Sequence, residues 1–156
     1  ETELKNGVLF YICMQSKSFA IIGDKGINDL VEPNFWNSTK DHVIEKFKEG
    51  KYQEAYDLLD KFSSDNKILM ALKYGAMGDA QANLNKNEDA LSLLDKAASA
   101  SDDAYTSYYF TRKAGLLALA MKKNAEAKKY FETIEEKYAD YDGGTSDAYI
   151  EMVKNF

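Results

Sequence analysis

The chain is 156 residues long with a net charge of −6, and no run of Lys or Arg interrupts that acidic balance. Non-specific binding to nucleic acid or to an anionic membrane surface is therefore disfavoured. With 45% hydrophobic and 29% charged residues, it can bury a core as one domain or as a small domain with an appendage. A single cysteine, Cys13, excludes an intramolecular disulfide framework, and a single histidine, His42, cannot anchor a metal site alone. No leader or membrane-spanning run is evident. The chain opens on Glu1 rather than Met, which reads as a processed fragment or a sequence lacking its start.

Residues 8–14 (VLFYICM) are continuously apolar, β-branched and aromatic, the pattern of a strand buried on both faces. Cys13 lies inside this run, where a free cysteine usually acts as a small buried hydrophobe. A polar turn, 15–18, leads to a second strand over 19–22 (FAII), so the two form a β-hairpin. Gly23-Asp24-Lys25-Gly26 is a turn whose glycines permit positive φ. Residues 27–31 suit a short helix stopped near Pro33. Two strands alone are marginal in water and an apolar edge invites aggregation, so the hairpin needs a cover.

The stretch NGVLFYICMQSKSFAIIGDKGINDLV, followed by NFWNSTKDHVIEKFKEGKY, resembles the latter half of a TPM domain. The markers are Asn6-Gly7 opening the first strand, a second strand ending in Gly23-Asp24-x-Gly26, and an aromatic-plus-helix segment after Pro33. The resemblance implies part of an α/β sandwich, and a family with members reported as phosphatases and as metal binders. In GDKG, backbone N–H groups and the Asp24 carboxylate could meet a phosphate or a divalent cation such as Ca or Mg. One carboxylate is too few for a cation that takes six or more oxygens, and the same string is equally a plain turn.

From Trp36 the spacing turns helical, with Asn37 or Ser38 as cap and His42, Val43, Lys46 and Phe47 near a period of 3.6. Glu49-Gly50-Lys51 breaks that helix, and 52–62 (YQEAYDLLDKF) forms the next, as if two genes had been joined at Gly50-Lys51. After a polar loop and cap at 63–66, helices are expected over 67–84, 87–99, 104–122 and 125–138. Residues 100–103 form another loop, and Asp142-Gly143-Gly144 is a stop. A last helix over 145–155, with Ala148, Tyr149, Met152 and Val153 on one face, should cover the open end of the stack.

Within this region Gly78, Ala90, Leu94 and Ala97 recur as Gly115, Ala127, Phe131 and Ile134, each pair 37 residues apart (115 − 78, and likewise for the others). Small and bulky marks at one fixed period indicate a repeat of paired helices. The spacing resembles the tetratricopeptide repeat, although Ile134 stands where a small residue is usual and Ala139 where proline is common. Residues 36–62 can serve as a first repeat, with Ala55, Leu59 and Phe62 at second-helix positions and Val43 in place of glycine. From Leu58 onward the chain is similar to tetratricopeptide proteins of the Bacteroidetes envelope. That likeness implies an envelope setting, with the cytoplasm as the other option, and proteins commonly tethered by a membrane helix.

The expected fold is mainly α: a tetratricopeptide-like solenoid of helical hairpins over 36–156, with an N-terminal β-hairpin appendage over 1–35. In such arrays the first helices line a concave groove that binds peptides. Counting from the repeat marks places Lys40, Asp41, Asp79, Asn83, Tyr109, Arg112 and Lys113 on it. Asn83 is an amide suited to a ligand's backbone, and Arg112 and Lys113 suit a carboxylate; equally, they are the solvated side any helix shows. Tyr105, Tyr108, Tyr109 and Phe110 read as inter-repeat core ahead of a ligand cage. Asp57, Asp60, Glu132, Glu135, Glu136, Asp140 and Asp142 sit at surface spacings. No P-loop, no Gly-x-Ser-x-Gly and no nucleophile with a partner histidine is present. The expectation is a non-catalytic scaffold for a protein or peptide, with no cofactor. Its competitor is a TPM-type metal-dependent phosphatase or cation binder with a helical accessory. A homodimer made by exchange of the hairpin is a further expectation.

Overall fold

The computed structural model describes residues 8–13, 18–23 and 35–154, with side chains from 41 to 153. The chain is mainly helical and divides into two compact units, Glu1–Gly50 and Lys51–Phe156. The division falls at the Gly50-Lys51 junction. In the first unit, β1 (Val8–Cys13) and β2 (Ser18–Gly23) pair antiparallel, from Val8 opposite Gly23 to Cys13 opposite Ser18. Helix α1 (Phe35–Lys48) lies against β2, with Lys46 and Lys48 in its last turn, where cations favour the carbonyl end. Asp24 and the expected short helix at 27–31 lie outside the described residues.

The second unit runs α2 (Tyr52–Asp60), α3 (Lys67–Asn83), α4 (Asn87–Ala100), α5 (Ala104–Ala120), α6 (Asn124–Asp142) and α7 (Thr145–Lys154). Only three residues separate α3 from α4, α4 from α5 and α5 from α6, so each helix doubles back along its predecessor. The 37-residue marks are where these helices meet. Gly78, Ala90, Leu94 and Ala97 are buried, as are Gly115, Ala127, Phe131 and Ile134. A Cβ at Gly78 would lie 3.3 Å from the Ala90 carbonyl oxygen and from Leu94 Cγ. At Gly115 it would lie 3.1 Å from the Phe131 ring. Both glycines thus remove a side chain where α3 closes on α4 and α5 on α6.

The turns repeat as well. Gly50, Asn85 and Lys122 all take positive φ, at 71°, 59° and 61°. Each is followed by a lysine (Lys51, Lys86, Lys123) with φ near −90° and ψ of 60–64° that starts the next helix. The Lys86 N–H donates to the Gln81 carbonyl at 2.9 Å and the Asn85 N–H to Ala82 at 3.0 Å. Lys123 donates to Ala118 and Lys122 to Leu119 in the same way. These are paired Schellman closures, which satisfy the carbonyls left over at a helix end. The turns into α3 and α5 match too. Ser64 Oγ accepts from the Asn66 N–H and Asn66 Oδ1 from the Leu69 N–H. Thirty-seven residues on, Ser101 Oγ accepts from the Asp103 N–H and Asp103 Oδ2 from the Thr106 N–H. Each supplies an N-cap of the favoured residue type.

Lys122 is a β-carbon residue held in the left-handed region, where non-glycine residues are disfavoured by ~1–2 kcal/mol. Lys122→Gly is expected to stabilise the chain by up to ~1 kcal/mol, once glycine's extra unfolded-state entropy is subtracted. Gly50→Ala should do the opposite. Urea midpoints of the two variants check both signs.

Two expectations are corrected at the far end. Helix α6 passes through a kink at Tyr138 (φ −135°, ψ 22°) and continues to Asp142, past the expected end at 138. On α7 the buried residues are Ser146, Ile150 and Val153, with Tyr149 packed beside them, while Ala148 and Met152 are exposed. Ser146, Tyr149, Ile150 and Val153 share one stripe at 3.6 periodicity, and the hydrophobic count alone had favoured a neighbouring one. Among the described residues, no helix is long and apolar enough to cross a membrane.

Candidate partner-binding face

Helices α3 and α5 are neighbours, and two contacts fix their approach. Gly75 has no side chain, and the Phe110 ring occupies the space one would take: a Cβ there would lie 2.0 Å from Phe110 Cε1. One turn along, Lys113 Nζ donates to Asp79 Oδ1 at 2.5 Å, an ion pair joining the two helices. Both charges are partly exposed, so the pair sets register more than it adds stability, at roughly 0–1 kcal/mol. Sequence periodicity missed Gly75–Phe110, because neither residue recurs in kind 37 positions away.

Of the residues placed on the groove by counting, the structure brings Asp79, Tyr109 and Lys113 together. Lys113 Nζ also sits 5.7 Å from the Tyr109 ring centroid, within cation–π range. Asn83 is exposed on α3, and its Nδ2 donates to the Asp79 carbonyl at 2.8 Å. Arg112 is partly exposed and makes no ion pair among the described residues; its charge acts on the Tyr108 hydroxyl. Asp41 is exposed on α1, in the first unit, and the Lys40 side chain lies outside the described residues.

The aromatic run divides. Phe110 is core at 3% exposure, but Tyr105 and Tyr109 are 57% and 44% exposed, contrary to the reading of the whole run as buried. Tyr105 contacts Tyr108 and, edge-on at 5.8 Å, Tyr141, which itself stacks on Tyr108 at 6.0 Å. The result is a ledge of tyrosine rings, with Tyr105 and Tyr141 outermost. Asp142, expected on the surface, is buried. Its Oδ2 accepts the Ser146 N–H at 2.7 Å, and Oδ1 lies 3.4 Å from the Tyr108 hydroxyl. The Gly143-Gly144 turn folds α7 back over this carboxylate, which faces the positive end of that helix.

Burial pushes the Tyr108 phenol above its usual range, and the Asp142 charge adds to the rise while Arg112 opposes it. Burial also raises Tyr130, with the Asp95 carboxylate of α4 adding to the rise. At neutral pH both phenols are protonated, and that of Tyr108 faces Asp142 as a donor. Among the described residues no group of three or more His, Cys, Asp or Glu is placed to hold a metal ion.

No curated protein matches the chain. Residues 1–61 match the family model of the TPM domain, labelled TPM phosphatase. The match passes Gly50 and takes in the whole of α2, so the N-terminal segment of this chain is TPM-like.

Proposed function

We propose that the second unit is a tetratricopeptide-like solenoid and that the chain is a non-catalytic scaffold, holding a peptide or partner helix on the α3–α5 face. The observation that carries this reading is the return of both turn types and of the packing marks at one 37-residue offset. A stack of such units sets its first helices side by side and leaves their outer residues to a ligand. Tyr109, Arg112, Lys113, Asp79 and Asn83 are then the partner-binding set of the second unit; Lys40 and Asp41 are candidate contacts on the first unit taken by itself, and the hairpin over 1–35 is an appendage. Selection of a displayed random-peptide library on the full chain tests this. Selected peptides should bind Asn83→Glu at least about tenfold more weakly, since the added carboxylate repels the acidic group that Arg112 attracts. Equal binding to Asn83→Glu would overturn the assignment.

The TPM match favours a second reading: a metal-dependent phosphatase or cation binder in which Asp24 takes part and the helices are accessory. Titration of Ca or Mg followed by thermal melting separates the two, because a ligand that binds only the folded state raises its stability. Hydrolysis of a generic phosphoester that disappears in Asp24→Asn would establish this second reading.

A further inference from the structure

We infer that the α3–α5 face takes an extended, proline-rich segment carrying an acidic residue three positions from a proline, with the proline on the tyrosine ledge and the acid on Arg112. This deepens the scaffold reading and rests on it. On α5, Tyr105, Tyr109 and Arg112 fall on one stripe, because steps of four and seven residues return to the same side of a helix. The exposed face therefore does not stop at Tyr109. It continues one turn to Tyr105, against which Tyr141 packs edge-on, and both rings are about half exposed.

The charges on that stripe differ in availability. Lys113 is already paired with Asp79, whereas Arg112 has no carboxylate partner among the described residues. In a chain of net charge −6, Arg112 is a local cation that can accept a partner's carboxylate. Beside it stands an aromatic shelf with hydroxyl edges, the surface that proline rings and polyproline II backbones dock on.

The spacing selects the register. Tyr105 and Arg112 are seven residues apart on one helix, or about 10.5 Å along its axis. A polyproline II segment rises about 3.1 Å per residue with three residues per turn. Positions i and i+3 of such a ligand therefore share a side and lie about 9 Å apart, which spans the distance. Positions i+1 and i+2 point away from it. A helical ligand would cover the same length in seven residues and would not need proline.

The test is fluorescence anisotropy with the full chain and labelled proline-rich decapeptides that differ only in where one glutamate stands. The i+3 peptide is expected to bind about tenfold more tightly than the i+1 and i+2 peptides, the worth of one charge-assisted contact. Arg112→Gln should erase that preference, and Arg112→Glu should transfer it to the peptide with lysine at i+3. Circular dichroism melts of these partly exposed substitutions confirm the fold. Equal affinity for all glutamate positions, or no change in Arg112→Gln, overturns the inference. If library-selected peptides bind the face but no proline-rich one does, this inference fails and the scaffold reading stands. If no peptide of any kind binds, both fail.

Discussion

Phe131→Ala is expected to lower the unfolding free energy by about 3–5 kcal/mol, the range for emptying a fully buried aromatic site. The Phe131 side chain has no exposed surface. It stands against Gly115 of α5, and its ring stacks on Tyr149 of α7 at 4.7 Å and 15°. One residue of α6 thus ties the helix before it to the helix after it. Its loss leaves a cavity that α5 cannot fill, since the residue facing it is a glycine. For a domain whose total stability is of order 5–15 kcal/mol, such a change removes about a fifth or more of the whole. Urea denaturation by circular dichroism measures it, and the slope carries a second result. If α7 detaches first, the denaturant dependence of the main transition falls as well. A loss under ~1 kcal/mol, well short of the cavity range, would mean that α5, α6 and α7 do not share this core.

Much of the helical unit was legible because its signals are local and periodic. Helix starts at Tyr52, Lys67, Asn87 and Ala104 match those expected, and polar capping residues or positive-φ breaks precede all four. The packing marks were legible for a similar reason: a small residue facing a bulky one at a fixed offset leaves a trace in the sequence. What stayed hidden depends on partners far away in the chain. The spacing of Asp142 suggests a surface carboxylate, yet a two-glycine turn brings α7 over it. Lys122 gives no hint of a left-handed backbone, which only comparison with Gly50 and Asn85 reveals. Tyr105 and Tyr109 carry aromatic character that suggests burial, but the space inside is taken by Phe110. On the candidate face, residue choice was readable from helical phase. That Lys113 is occupied by Asp79 while Arg112 is not was unreadable, because the pairing runs between helices.

Gly75→Ala is expected to be the most damaging of the helical glycine replacements, although Gly78 and Gly115 are the ones marked by the repeat. Alanine in place of a mid-helix glycine gains roughly 1 kcal/mol from backbone entropy, so a site with room becomes more stable. At Gly78 the nearest atoms to a new methyl are at 3.3 Å, and the Leu94 side chain can yield a few tenths of an ångström. The two effects there nearly cancel. At Gly115 the crowding is greater, with the Phe131 ring and Tyr130 Cβ at 3.1 Å. At Gly75 the methyl would enter the Phe110 ring, with Cε1 at 2.0 Å and Cζ at 2.4 Å, and that ring is buried on all sides. Overpacking of this kind is destabilising by about 1–3 kcal/mol, beyond what the helix gains. The clash also has a signature that a general weakness of α3 would not produce. In a Phe110→Ala background the obstruction is gone, and Gly75→Ala should become neutral or stabilising, a coupling of roughly 1–3 kcal/mol in the double-mutant cycle. Additive losses, or a single variant as stable as the parent, would show that α3 and α5 do not meet at this glycine. The face on which a partner is proposed to lie would then lose its foundation, since the Asp79–Lys113 pair stands one turn above the same contact.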